Sequence, residues 1–308
     1  MKLSIITVSL NSGDRLLKTV QSAASQSFRD YELIVKDGGS ADGSVERLES
    51  WLGGEADRAF PGTDMAARVR IFREKDSGIY DGMNRGAALA RGEYLYFLNC
   101  GDTFHGADAL EWFMAGMTDT AADMETGPVE AEHMETTKEG QPTDESCPDG
   151  GMEQPQLYYG DVYDMLRGSV VQSNPRMDAF ACYRHVPNHQ ACVYHRSLFA
   201  ERGYRTEYRV RADYEHFLWC FFEKKVSPRY VPVTLADYEG GGFSETSANK
   251  KRSAAEHKEI TALYMSVWQR FCYRAALVLT LQPVRTALAE NEATGKVYQK
   301  VKRLIYRR

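Results

Sequence analysis

The 308-residue chain has no CxxC pair, no GxGxxG run and no apolar stretch of membrane-spanning length. Its six cysteines, at 100, 147, 182, 192, 220 and 272, follow no metal-ligand spacing. Several sit among apolar neighbours, as reduced core cysteines do. His185, His189 and His195 match no closed zinc site either, because no cysteine pair completes one. The longest apolar candidate, Ala275–Leu281, is far too short to cross a bilayer. Met1-Lys2-Leu3-Ser4-Ile5-Ile6 lacks the long apolar region and cleavage motif of a signal peptide, so the expected location is the reducing cytoplasm. Neither sign of charge dominates: 38 Lys and Arg against 43 Asp and Glu leave a net −5, which argues against a general nucleic-acid binder. No internal repeat is found.

What is present is ordinary in bulk and uneven in detail. Apolar content of 43% and charged content of 26% suit a globular domain with room for a large core. Residues 116–156 are acidic and almost free of Val, Ile, Leu and Phe, with eleven acids and one Lys between 119 and 153. That composition cannot bury enough apolar surface to offset ordering, and predicts a mobile surface insertion. The last thirteen residues carry Lys296, Lys300, Lys302, Arg303, Arg307 and Arg308 among Val297, Val301, Leu304, Ile305 and Tyr306. This tail is either a helix packed on the main domain or a surface that rests on anionic lipid.

Apolar runs alternate with helical periodicity. Leu3–Ser9, Tyr31–Lys36, Val69–Arg73 and Tyr94–Leu98 read as strands, separated by helices near 14–25, 44–51 and 78–90. A shorter insertion, 53–67, precedes the third strand. The alternation predicts a parallel sheet covered on both faces. After the longer insertion, strands are expected at 157–162, 191–195 and 230–233, a helix at 212–223, and mostly helix from about Ser253.

Several strands end in small polar residues. In open α/β sheets the carboxyl ends of the strands are where ligands bind. Ile5-Ile6-Thr7-Val8-Ser9-Leu10-Asn11 is one such end, and Asn11 with Ser12 can cap the next helix. Val35-Lys36-Asp37-Gly38-Gly39-Ser40 is another; Asp37 can read the N–H edge of a nucleobase, or it can simply cap its own turn. Leu98-Asn99-Cys100-Gly101-Asp102 offers a carboxylate for a hard cation, or an ordinary β-turn. In Asp76-Ser77-Gly78-Ile79-Tyr80-Asp81-Gly82-Met83-Asn84-Arg85-Gly86, the Asp81, Asn84 and Arg85 side chains fall within one helical turn and can meet one ligand or only solvent. Ala212-Asp213-Tyr214-Glu215-His216 opens a helix with two carboxylates, suited to a general base or to complementing the helix dipole. Gly240-Gly241-Gly242-Phe243-Ser244 is a loop able to fold over phosphate.

Taken in order, these segments, with Asn188-His189-Gln190, resemble glycosyltransferase family two, over roughly 1–115 and 157–245. The 76–86 stretch is similar to a signature of its bacterial polysaccharide-building branch. The resemblance implies an α/β fold of the GT-A class: a mixed, mainly parallel sheet flanked by helices. It implies a catalytic domain over 1–245 and a helical extension with a basic tail over 246–308. The implied activity is an inverting, hexosyl-type transfer from a nucleotide-diphosphate sugar, UDP by family preference, to a saccharide or lipid-linked hydroxyl in cell-surface polysaccharide biosynthesis. Thr7, Ser9 and Asn11 would line the nucleoside pocket, and Asp37 would accept from the base. Asp76, Asp81, Asn84, Arg85 and His189 would contact ribose, phosphates or sugar. Asp102 would hold Mn2+ or Mg2+, and Asp213 would be the base, with Glu215 holding or replacing it. The family's metal motif carries more acids than this one, since Cys100 and Gly101 stand beside Asp102. The rival readings are a non-catalytic nucleotide-sugar binding protein and a nucleotidyltransferase. Ser9-Leu10-Asn11-Ser12-Gly13-Asp14 has neither the Gly-rich basic phosphate loop of the latter nor the dinucleotide fingerprint of a Rossmann oxidoreductase.

Overall fold

The computed structural model describes residues 1–125, 156–240 and 247–279. Its first half alternates β1 (Leu3–Ser9), α1 (Arg15–Ala24), β2 (Tyr31–Asp37) and α2 (Ser44–Leu52). Two short helices follow, α3 (Ala56–Ala59) and α4 (Met65–Arg68), then β3 (Val69–Arg73), α5 (Ile79–Leu89) and β4 (Tyr94–Phe97). The second half contains β5 (Thr103–Phe104), α6 (Ala109–Glu125), β6 (Leu157–Asp164), β7 (Ser169–Val171) and α7 (Ala179–Arg184). It continues with β8 (Cys192–His195), α8 (Arg196–Glu201), α9 (Ala212–Phe222), β9 (Arg229–Tyr238), α10 (Ser247–Tyr264) and α11 (Val267–Leu279).

One mixed sheet runs β3-β2-β1-β4-β8-β6-β9-β5, with β7 beside β6. The expected parallel block is there: β2 pairs parallel with β1 and β3, and β1 with β4. Because β1 and β2 pair with Ser9 opposite Asp37, their polar ends emerge at one edge. Every residue of β2 is buried, as both faces of a parallel sheet are covered. One face packs Leu16, Val20 and Ala23 of α1 and Val45, Leu48 and Trp51 of α2 against Leu3, Ile5 and Leu33. The other packs Met83 and Ala87 of α5 and the aromatic face of α9 against Ile6 and Phe97. Helix α5 approaches closely because Gly86 lies on Ile6, where an added Cβ would come within 2.6 Å of the Ile6 Cγ2.

Three departures matter for the site. Helix α6 continues to Glu125, so the stretch expected to be unstructured from 116 begins as helix; 126–155 lies outside the described residues. Strand β9 extends past the expected Val233 to Tyr238, which carries Glu239 to the functional edge. Helix α10 begins at Ser247, ahead of the expected Ser253, and packs on α9. Beyond Gly240, the expected phosphate loop (241–244) lies outside the described residues, as does the basic tail (296–308).

Candidate active site

The loops after β1 and β2 are stitched into one rim. Asn11 adopts a left-handed backbone, φ 48°, which Asn tolerates better than most residues. Its side-chain oxygen accepts from the Ala41 N–H at 3.0 Å, and its own N–H donates to Ser40 Oγ at 2.8 Å. The Gly13 N–H donates to Asp42 at 2.8 Å. Asp37 is fully buried and accepts from the Gly39 and Ser40 N–H groups at 2.9 and 2.8 Å, and from the Ser40 hydroxyl. It organises the loop, as the turn-capping alternative anticipates. Thr7 is also fully buried, and Ser9 is occupied by Ser12 at 3.0 Å. Of the four residues expected against a nucleoside, only Asn11 lies exposed at the rim; Thr7, Ser9 and Asp37 form the frame beneath it.

The segment before and within α5 divides similarly. Asp76 sits beside Gly38 and Gly82, 3.3 Å from the buried Lys36 ammonium, which also donates to the Asp37 carbonyl at 3.0 Å. An alanine Cβ at Gly38 would lie 3.0 Å from the Asp76 carboxylate, so glycine there leaves the carboxylate its place. Asp81 accepts from the Ser77 N–H at 2.8 Å and pairs with Arg85 at 3.2 Å, while Arg85 also reaches Glu74 at 2.6 Å. The Ser77 hydrogen bond and Arg85 hold the Asp81 pKa below its ordinary value, although burial opposes them. Asn84, expected as a ligand residue, has its side chain engaged by backbone. Its amide donates to the Tyr204 carbonyl at 2.8 Å and accepts the Tyr204 N–H at 2.7 Å, fixing that loop to α5.

Asp213 is the centre of the site. It begins α9, next to the unpaired N–H groups of the first turn, where a carboxylate is favoured. The Tyr80 hydroxyl lies 2.9 Å from Asp213 Oδ1 and equally 2.9 Å from the Val210 carbonyl. His189 Nδ1 lies 3.5 Å from Asp213 Oδ2, and its Nε2 is 2.7 Å from the Asn99 amide nitrogen. An Asn99 N–H donated to Nε2 leaves Nδ1 as the protonated nitrogen facing Asp213. Burial pushes the Asp213 pKa up, but the His189 and Tyr80 interactions outweigh it and leave the group below its ordinary value. A quarter of the side chain, 25%, remains exposed. Sequence reasoning does not single out Tyr80 as a site residue; it stands 133 positions from Asp213, and no local pattern marks it.

Glu215 does not join this group. Residues two apart on a helix point about 200° from one another. Glu215 is fully buried on the opposite side, with Arg202 Nη2 3.0 Å from both its oxygens and the Tyr264 hydroxyl donating to it. The guanidinium in turn lies over Trp219, 4.5 Å from the ring centroid. The structure places this carboxylate, expected beside Asp213 as a catalytic residue, in the packing of α9 and away from the Tyr80 and His189 group.

At the end of β4, Asp102 is buried, and its Oδ1 accepts from the Glu239 N–H at 3.0 Å. Gln190 reaches Oδ2 at 3.3 Å. Burial raises the Asp102 pKa despite these donors and the nearby His189. The Glu239 carboxylate abuts Gly101, which takes φ 104°, and a side chain there would collide with it. Glu239 thus supplies a second acid that the sequence reading lacks; an acid just ahead of Gly240 is its only local signal. Asn99 Oδ1 is buried with no hydrogen-bond partner among the described residues. No set of three His, Cys, Asp or Glu side chains converges among the described residues. Asp102 and Glu239, close enough that the Glu239 charge joins burial in raising the Asp102 pKa, nevertheless suit a hard cation that keeps water and diphosphate oxygens as its other ligands. Glu239 also lies 3.8 Å from Arg15.

Known proteins resemble this chain in sequence and in fold. The family model described as glycosyl transferase family 2 matches residues 4–181, more than half the chain. A PGL/p-HBAD biosynthesis glycosyltransferase of Mycobacterium bovis is 31% identical over 251 residues, covering 80% of this chain and 81% of that protein. A cholesterol galactosyltransferase of Borreliella burgdorferi is 28% identical over 102 residues, 33% of this chain and 25% of its own. Among solved structures, a mannosyltransferase from Pyrobaculum calidifontis in complex with GDP-Man and Mn2+ superposes with a TM-score of 0.55 at 13% identity, over 99% of this chain and 87% of that one. S. aureus TarS in complex with UDP gives 0.52 at 15% identity, over 77% of this chain and 60% of that one. These structural likenesses are of fold, the GT-A fold expected from the sequence. The family match and the mycobacterial relative carry the assignment further, and the chain belongs to glycosyl transferase family 2 and is a glycosyltransferase.

Proposed function

We propose that the enzyme moves one sugar from a nucleotide-diphosphate sugar to an acceptor hydroxyl with inversion at the anomeric carbon, and that Asp213 is the base. The observation that carries this reading is a partly open carboxylate held by Tyr80 and His189 at the same edge as Asp102. The acceptor oxygen attacks the anomeric carbon from the face opposite the diphosphate. Its proton passes to Asp213 as the new C–O bond forms and the bond to the departing phosphate oxygen breaks. A base with a depressed pKa is ionised at neutral pH and serves here because proton transfer comes late. His189 and Tyr80 hold the carboxylate in place and leave the proton for the exposed lone pair.

Asp102, Glu239 and Asn99 are the residues that would hold Mn2+ or Mg2+. A divalent ion bound there supplies neutralisation of charge on the leaving diphosphate. Asn11, Asp76, Asp81 and Arg85 form the polar rim for the nucleoside and phosphates, and Asp37 shapes it from below. UDP is the preferred base reading, supported by the UDP complex of TarS; the GDP-Man complex of the archaeal enzyme marks the competing one. The acceptor is read as a saccharide or lipid-linked hydroxyl in cell-surface polysaccharide biosynthesis, met at the cytoplasmic membrane face; the lipid alternative is favoured by one relative that is named for transfer to cholesterol.

The test is Asp213→Asn in the full chain with UDP-sugars and Mn2+. Donor binding by thermal shift is expected to persist while transfer falls about 10²–10⁴-fold, the usual share of general-base catalysis. Unchanged turnover would remove Asp213 from the role.

A further inference from the structure

Helix α11 is inside out. Its inner side packs through Tyr273 on Phe180 and Tyr183, with ring centroids 5.4 and 5.5 Å apart. On the other side Val267, Trp268, Phe271, Val278 and Leu279 are 76%, 70%, 62%, 61% and 82% exposed. At about 100° per residue they form one continuous stripe, with Arg274 on its flank. A surface helix normally turns its apolar stripe toward the core and its polar side toward water. Trp268 and Phe271 even stack on each other in solvent, with centroids 5.6 Å apart and planes 23° from parallel. Leu263, near the end of α10, is 53% exposed as well.

We propose that the outer face of α11 seats the enzyme on an anionic lipid surface. Charge argues for this occupant over a second copy. The sequence after α11, residues 280–308, carries seven Lys and Arg against two Glu, in a chain whose net charge is −5. Two copies meeting through α11 would bring two basic segments together. An anionic bilayer attracts that segment and repels the acidic remainder, so it also orients the molecule. Trp and Phe beside Arg form the composition of an interfacial helix, with rings at headgroup level and guanidinium groups on phosphate. The proposal rests, for its purpose, on the lipid-linked acceptor reading, but docking is measurable without sugar chemistry.

The experiment uses the full chain with vesicles of phosphatidylcholine alone or mixed with phosphatidylglycerol. Co-flotation with the anionic vesicles only is expected, and Trp268→Ala with Phe271→Ala should weaken it at least about tenfold. Hydrolysis of a soluble nucleotide sugar should stay unchanged in that variant, because neither residue touches the active site. No flotation with anionic vesicles, or equal flotation by the variant, would overturn the proposal. Self-association of the wild type that the double substitution abolishes would also overturn it, by making a second copy the occupant. Flotation together with no sugar transfer to a lipid-linked acceptor would support docking and sink the lipid-linked acceptor reading instead.

Discussion

Asp213 and Glu215 stand two residues apart on α9 in opposite surroundings. Asp213 keeps 25% of its side chain open beside a phenol and an imidazole, while Glu215 keeps none and is clamped by a guanidinium. The difference separates two uses of a buried carboxylate. A base must be held yet retain a lone pair that an incoming proton can reach. A structural anion must have its lone pairs filled, since an unpaired buried charge is costly.

Two substitutions test that separation most directly, and they should cross over. Asp213→Asn is the activity-losing change described above and should lower the unfolding midpoint less than Glu215→Ala does. Glu215→Ala should cost about 3 kcal/mol in urea unfolding, the low end for a broken buried pair, because Arg202 keeps 28% exposure and some water. Its turnover per folded molecule should remain near wild type. Replacing Arg202 as well, by Met, should recover part of the lost stability. If Glu215→Ala instead loses turnover as Asp213→Asn does while remaining folded, the two carboxylates work together and the comparison fails.

A third carboxylate lies between these cases. Glu256 of α10 accepts the consecutive N–H groups of Arg209, Val210 and Arg211 at 3.0, 3.0 and 2.9 Å. The Val210 carbonyl in turn lies beside the Tyr80 hydroxyl that meets Asp213. Glu256→Ala strips an acceptor from three backbone donors and should cost about 2 kcal/mol. It should also lower kcat several-fold with little change in KM for donor, whereas Glu215→Ala should not. Steady-state kinetics on the two variants at matched folded fraction sharpens the contrast.

In the proposed metal role, Asp102 sets the opposite balance, with stability yielding to function. Burial raises its pKa, so the ionised carboxylate is unfavourable in the metal-free protein at neutral pH. Asp102→Asn should therefore gain about 1 kcal/mol in the presence of a chelator, a common outcome where a destabilising functional charge is removed. The wild type should gain a thermal shift from Mn2+ with UDP, and the same variant should lose it. A destabilised Asp102→Asn protein that still responds to Mn2+ would place the cation elsewhere.

Much of the fold is legible in the sequence because the relevant signals are local. Buried runs such as Tyr31–Lys36 name parallel strands, and their polar ends name the edge where Asn11 and Asp102 are expected. Directions of side chains are not legible. Asp213 and Glu215 read as one acidic pair until the helical rotation separates them. Asn84 looks like a ligand residue because its partner, the Tyr204 backbone, is 120 residues away. Asp37 lies at the expected strand end, but the N–H groups of its own turn compete with any ligand for the carboxylate. Tyr80 and Glu239 escape sequence reasoning for the same reason as Tyr204: their contacts are made by folding, not by neighbouring sequence.

The smallest expected effect concerns pH, and it tests what keeps Asp213 usable. Burial alone would raise its pKa, and His189 with Tyr80 reverses the sign, leaving it below the ordinary 3.8. A carboxyl depressed on folding adds stability above its unfolded pKa and loses that contribution as pH falls through the folded value. Removing His189 deletes a lowering partner and leaves the burial in place. His189→Ala should therefore move the acidic limb of kcat/KM upward and make the protein unfold at a higher pH on acidification. Near pH 7 the carboxylate stays ionised in both proteins, so the loss there should be about fivefold, one hydrogen bond's share. An acidic limb that stays put while turnover falls would mean that His189 touches substrate directly, and that burial and Tyr80 alone set the base.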